Sequence, residues 1–202
     1  MISRTPSRSV CTITSLLLFL LLAFATARAT ERTDDLAGKV AALRLGMNGY
    51  TIGTRLPAER KEYSSAHLLG DAYEGTYKFS DGELAVVAAL EDDTVLAVYQ
   101  RNEQAGIKQA KKMISGLMGL FGEPTAMAHD KLIYWAYDEE GKIPEGKYEE
   151  SKNGPAQLQV LATVKFSSSI PIMEENPDGE PQGTVYFIIS SDRLTGQFMN
   201  KE

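Results

Sequence analysis

The chain has 202 residues and carries 21 Lys and Arg against 27 Asp and Glu, a formal net charge of −6. Nucleic-acid binding draws on Lys and Arg to displace phosphate counterions, and anionic lipid draws on basic clusters, so this balance argues against both kinds of partner. The single cysteine, Cys11, stands near the start and leaves the rest of the chain without disulfide or thiolate chemistry.

Arg4 and Arg8, with no acidic residue beside them, precede an apolar run from about Val10 to Phe24 that is richest from Leu16 to Leu22. Ala25-Thr26-Ala27 and Ala27-Arg28-Ala29 follow as two overlapping small-x-small sites. A basic start, a short apolar core and an A-x-A exit, in that order, predict a cleavable signal peptide over residues 1–29. A spanning helix wants about 20 apolar residues, more than this run supplies. Cys11 precedes the leucines, whereas a lipid-anchoring cysteine follows them. The expectation is a protein released near Ala27 or Ala29, with no stable membrane anchor afterwards. It is placed in the periplasm or outside a bacterial cell, a reading that fits the absence of cysteine and of Asn-x-Ser/Thr beyond residue 29.

Cleavage removes Arg4, Arg8 and Arg28 and no acid, so residues 30–202 hold 18 basic against 27 acidic residues, a balance of −9. Such a length buries about 70% of its unfolded surface without disulfides or metals. One domain over 30–202 is expected, with halves at 30–101 and 102–202.

Thr33-Asp34-Asp35 reads as a helix start, a hydroxyl cap with two acids at the positive end of the dipole. Leu36, Val40 and Leu43 then keep helical spacing until Gly46. Met47 to Pro57 holds turn residues and predicts a loop or short strand, and Glu59 to Ser65 is polar without a period. Ala72 to Ser80 alternates Tyr73, Gly75, Tyr77 and Phe79 with Glu74, Thr76 and Lys78, a half-buried strand. Asp81-Gly82 turns the chain into a strand over Glu83 to Leu90. One side of that strand carries only Ala85, Val87 and Ala89, which predicts something packed closely over it. Glu91-Asp92-Asp93 is the next turn, before a strand from Thr94 to Gln100.

Asn102 to Phe121 predicts the clearest helix. Ile107, Ala110, Ile114, Leu117 and Phe121 form one stripe, Asn102 caps the start, and Gly122 with Pro124 ends it. Gly116 and Gly119 weaken a helix, so another backbone is expected close to them. Further strands are predicted over Lys131 to Tyr137, Gln157 to Phe166 and Thr184 to Ser190, with a turn at Asn176-Pro177-Asp178-Gly179. Asp138 to Pro155 is charged and lacks a period, which reads as a mobile loop or a short strand. The order helix, three strands, helix, three strands predicts an α+β fold: an antiparallel sheet with helices on one face, made of two related helix-plus-three-strand halves.

A helix ending in Leu120-Phe121-Gly122-Glu123-Pro124, then Ile133-Tyr134-Trp135-Ala136-Tyr137, then Val164-Lys165-Phe166 resembles the β-lactamase-inhibitor-protein-like modules. These include the exported SmpA-OmlA-type lipoproteins. The resemblance covers about Gly106 to Phe166 and implies an exported module, often in tandem, that binds proteins through its sheet or loops. The lipid-anchoring cysteine of the lipoproteins has no counterpart here, so their role in outer-membrane assembly is not implied.

No nucleophile elbow, phosphate-binding loop or dinucleotide glycine pattern occurs, and His67 and His129 lack zinc-site spacing. No cofactor and no metal are therefore expected. Tyr134, Trp135 and Tyr137, with Tyr73 and Tyr77, put five aromatics on two predicted strands, with Tyr134 on one face and Trp135 and Tyr137 on the other. Tyr and Trp favour recognition surfaces. The leading expectation is an exported, non-enzymatic binding protein whose partner is another envelope protein. The alternative is a hydrolase or small-ligand enzyme with His129, followed by Asp130, as its base.

Overall fold

The computed structural model describes residues 35–154, 157–172 and 182–199. The signal-peptide segment, the Thr33 cap and the Asn176–Gly179 turn lie outside the described residues. The chain divides into units 1–36 and 37–202, and the architecture below is that of the second.

Helix α1 covers residues 35–42 and ends in a turn at Leu43 and Arg44. A small hairpin follows, β1 (Gly46–Met47) against β2 (Tyr50–Thr51), closed by Asn48 and Gly49 in left-handed backbone, a pairing that Asn-Gly favours. Helix α2 (Ala58–Ala66) and β3 (Leu68–Leu69) lead into β4 (Thr76–Asp81), β5 (Leu84–Ala89) and β6 (Val95–Gly106). Helix α3 (Ile107–Phe121), β7 (Ala126–Ala128), β8 (Leu132–Asp138), β9 (Gly141–Lys142) and α4 (Glu145–Asn153) come next. The chain then forms β10 (Ala162–Ser168), β11 (Gln182–Ser190) and α5 (Asp192–Met199). Among the described residues, nine strands make one antiparallel sheet in the order β3-β4-β5-β6-β11-β10-β8-β7, with β9 against β8.

The fold is α+β. The meander β4-β5-β6 and the set β8-β10-β11 meet through one strand pair, β6 against β11. Cross-strand partners share a face, and the registers align Phe79, Val86, Val98, Ile189, Val164 and Trp135 in one row across six strands. All six are fully buried. Burying each such side chain is worth about 1.5–3 kcal/mol, so this row is the spine of the core.

Its cover comes from helices and the hairpin. Phe121 at the end of α3 packs its ring 5.9 Å from Trp135 and 6.4 Å from Phe187. Tyr50 of the hairpin meets Phe79 edge-on at 5.8 Å. Ser64, the buried residue of α2, reaches Tyr77 on the same face.

Several expectations need correction. Residues 102–106 are strand, not helix: β6 runs on to Gly106, which pairs with Gln182. The β6–β11 ladder overrides local helix propensity there, with Gln104 in left-handed backbone where the register slips. Helix α3 therefore starts after Gly106, not at an Asn102 cap. The stretch 138–155 holds the short strand β9, one of the two readings its sequence allows, but also helix α4, which neither reading foresees. Gly116 and Gly119 have no approaching backbone: a methyl group added at either would meet nothing within 4 Å.

Candidate binding face

The other side of the sheet differs in kind. Its rows run Lys78–Val87–Ala97–Ser190–Thr163–Ala136, then Ser80–Ala85–Tyr99–Ile188–Lys165–Tyr134, then Arg101–Tyr186–Ser167–Leu132. At the end towards α5, Ser190 and Ala136 are buried. Further along, Val87, Ala97, Tyr99, Ile188, Tyr186, Lys165 and Tyr134 are all partly exposed. An apolar and aromatic patch thus lies on an open sheet face.

Its polar groups are ordered. Lys78 on β4 and Tyr99 on β6 flank β5, in the registers of its small residues Val87 and Ala85. Burial pulls the Lys78 ammonium down, but its hydrogen bond to Asp71 and the neighbouring Tyr99 hold its pKa above the usual lysine value. The Arg101 guanidinium stands 5.8 Å from the centre of the Tyr186 ring, directly opposite it across the strands, and pairs with Glu103 at 2.7 Å. Lys165 reaches Asp192 at 3.5 Å. The three rows contain three cations and no carboxylate, and the acids that answer the cations come from outside them.

Along β8 the face is bordered by α4. Tyr148 of α4 meets Tyr134 edge-on at 5.7 Å, and the Tyr134 hydroxyl donates to that of Tyr148. Burial, then this hydrogen bond, pushes the Tyr134 phenol well above its ordinary value. The Lys152 ammonium sits 4.5 Å from the Tyr148 ring centre.

The aromatics singled out from the sequence do not form one surface. Tyr134 lies on the open face. Trp135 is fully buried on the covered face and belongs to the core, where its indole N–H donates to Gly122 O at 2.8 Å. Tyr77 also turns to the covered face, and its hydroxyl donates to Asp93 at 2.9 Å. Tyr73 precedes β4 rather than lying in it and is 69% exposed. Tyr137 lines an open depression of about 480 Å³ with Lys39, Leu43, Glu139, Glu140 and Gly141. Burial raises its pKa.

Ion pairs hold the acids of that depression, Lys39–Glu139 at 3.0 Å and Lys147–Glu140 at 3.2 Å, and Lys147 also meets Asp138 next to Tyr137 at 2.7 Å. Burial pushes Asp138 up, but hydrogen bonds from Lys147 and from the backbone outweigh it and keep the carboxyl below its usual range. His129 stands exposed in the β7–β8 turn with left-handed backbone, φ 53°, and so does Asp130. Among the described residues, no group of three or more His, Cys, Asp or Glu could hold a metal ion.

Sequence reasoning passed over Tyr99, Tyr186, Ile188, Arg101 and Lys165. β11 is apolar on both faces (Val185, Phe187 and Ile189 against Tyr186 and Ile188), so only the register reveals which set stays open. Compared with family models, curated proteins and solved structures, the chain matches none of them.

Proposed function

We propose that this chain is an exported, non-enzymatic binding protein of the cell envelope that docks another protein on the open face of its sheet. The observation that carries the reading is the row Tyr99–Ile188–Lys165–Tyr134 with Tyr186 and Arg101 beside it. Half-exposed Tyr, Ile and Arg held on a rigid sheet are the residues from which binding hot spots are made. The partner surface is apolar at its centre and offers hydrogen-bond acceptors to the tyrosine hydroxyls and to Lys165. Export rests on the signal-peptide pattern over 1–29, and the resemblance of Gly106–Phe166 to exported protein-binding modules is in keeping with both.

The test uses the full-length chain with a C-terminal affinity tag in a Gram-negative host. The tagged product is expected in the periplasmic fraction with Arg28 or Thr30 at its new N-terminus. Light cross-linking should recover one envelope protein with wild type. Ile188→Lys, which leaves the covered face untouched, should lose that protein while keeping the wild-type unfolding midpoint. Equal recovery by Ile188→Lys and wild type would remove the open face from the binding reading.

A further inference from the structure

The sheet edge formed by β3 is a second surface, separate from the open face. β4 lies on its inner side, with Leu68 opposite Phe79 and Leu69 opposite Lys78. The carbonyl of His67 accepts from the Ser80 N–H at 3.0 Å. Residues of an antiparallel strand alternate between bonding inward and bonding outward. The His67 N–H is taken by Ser64 O at the end of α2, but its carbonyl and the peptide groups of Leu69 face β4, and Leu68 directs its N–H and C=O away from the sheet.

Natural edges are blunted with Lys, Pro or a bulge. This one carries Leu68 at 60% and Leu69 at 39% exposure, on opposite faces of the strand, with Tyr73 exposed just beyond. Every residue from Ser65 to Glu74 is exposed. A strand apolar on both faces has the pattern of an interior strand, yet no described strand pairs with its outer side.

Charge narrows the kind of strand that fits. The cations near the edge are engaged within the fold: Arg60 with Asp81 at 2.6 Å, Lys61 with Asp93 at 2.6 Å, and Lys78 with Asp71. Glu59 and Glu62 on α2, and Glu74 after β3, are exposed and meet no cation among the described residues. We propose that β3 is a strand-addition site for an extended polypeptide segment that is apolar at alternate positions and flanked by Lys or Arg. The backbone of Leu68 supplies the hydrogen bonds, the leucine on the shared face takes the apolar side chains, and the glutamates take the basic flanks.

The probe is the capped synthetic peptide Lys-Thr-Val-Thr-Val-Thr-Val-Lys, titrated into isotope-labelled full-length protein. The expected result is a saturable shift of the Leu68 amide resonance, with slowed hydrogen exchange at that amide. Leu68→Pro removes the outward N–H together with the leucine side chain, a change an edge strand tolerates, and should weaken binding by about tenfold or more. Should the proline lower the unfolding midpoint, the same peptide N-methylated on alternate residues replaces it and should bind wild type as weakly. Glu in place of the flanking Lys should also weaken binding. The proposal is overturned by saturating peptide that leaves Leu68 unshifted, or by equal binding of the proline variant, the N-methylated peptide or the Glu-flanked peptide. Leu68 protection that grows with protein concentration in the absence of peptide would assign the edge to a second copy of the chain, and would also overturn it.

Discussion

The indole N–H of Trp135, in the middle of β8, donates to the carbonyl oxygen of Gly122, the residue that ends α3, at 2.8 Å. Lys142 on β9 donates to the flanking carbonyls of Phe121 and Glu123 at 3.0 and 2.8 Å. The last carbonyls of a helix have no partner within it, so these bonds seat the end of α3 on the sheet. Trp135→Phe keeps a ring in the core but leaves the Gly122 carbonyl unanswered. It should cost about 1–3 kcal/mol in urea unfolding, and Trp135→Ala about 3–5 kcal/mol. A Phe variant as stable as wild type would show that the bond does not hold the helix end.

Two tyrosines on the covered side behave alike towards alkali. Burial, then donation to Asp81, raises Tyr50 from 10.0 to about 12, and burial with donation to Asp93 does the same for Tyr77. The folded protein holds these protons more tightly than the unfolded chain does. Their stabilisation is therefore complete below pH 10 and lost as pH rises towards about 12, at up to about 1.4 kcal/mol per pH unit for each phenol. Denaturation midpoints between pH 9 and 12 should fall more gently in Tyr50→Phe than in wild type. Parallel curves would show that Tyr50 does not titrate with unfolding.

The glycines of the chain divide into two kinds, and the same substitution should act on them with opposite sign. Gly116 and Gly119 lie inside α3 with open space beside them. Ala at either should stabilise by about 0.5–1 kcal/mol. Gly75 has φ +75°, and a methyl group there would stand 2.3 Å from the carbonyl oxygen of Phe198. Gly75→Ala should lower the thermal midpoint, whereas both helical variants should raise it.

Ser191 joins β11 to α5 and is fully buried. Its hydroxyl donates to Leu161 O at 2.6 Å and accepts from the Leu194 N–H at 3.2 Å, the geometry of a helix N-cap. Ser191→Ala should cost about 1–3 kcal/mol, measured by chemical denaturation. Ser191→Thr should retain part of that, because the hydroxyl stays.

The residues explain which parts of the fold can be read from the sequence. Helix α3 buries Ala110, Ile114 and Leu117 at helical spacing, a pattern that only one structure satisfies. Strands β4, β5, β8, β10 and β11 carry alternation or β-branched runs and fall within a few residues of their expected places. Helices α2 and α4 have no apolar stripe: Ser64 is the sole buried residue of the first, and the second has none. Their signals are Pro57 and Pro144 before the first turn, with Glu59 and Glu145 inside it, which mark starts and not lengths. The eight residues of α5 show only the pair Leu194 and Phe198, too little for a period. The binding face is harder to read still. Tyr186 and Ile188 become visible as open residues only once Ile189 is known to pair with Val98, a relation between residues far apart in the chain.

The strand order also sets a timetable. β11 is the last strand along the chain, yet it lies between β6 and β10 and joins the two strand sets. A ribosome releases β6 long before β11, so until residue 190 has emerged the strands 95–106 and 162–168 each wait with a raw edge. Pairings between distant residues form slowly, and waiting edges invite the wrong neighbour. A chain that stops before residue 182 holds two incomplete half-sheets, and each bares the strand edge that β11 covers in the whole protein.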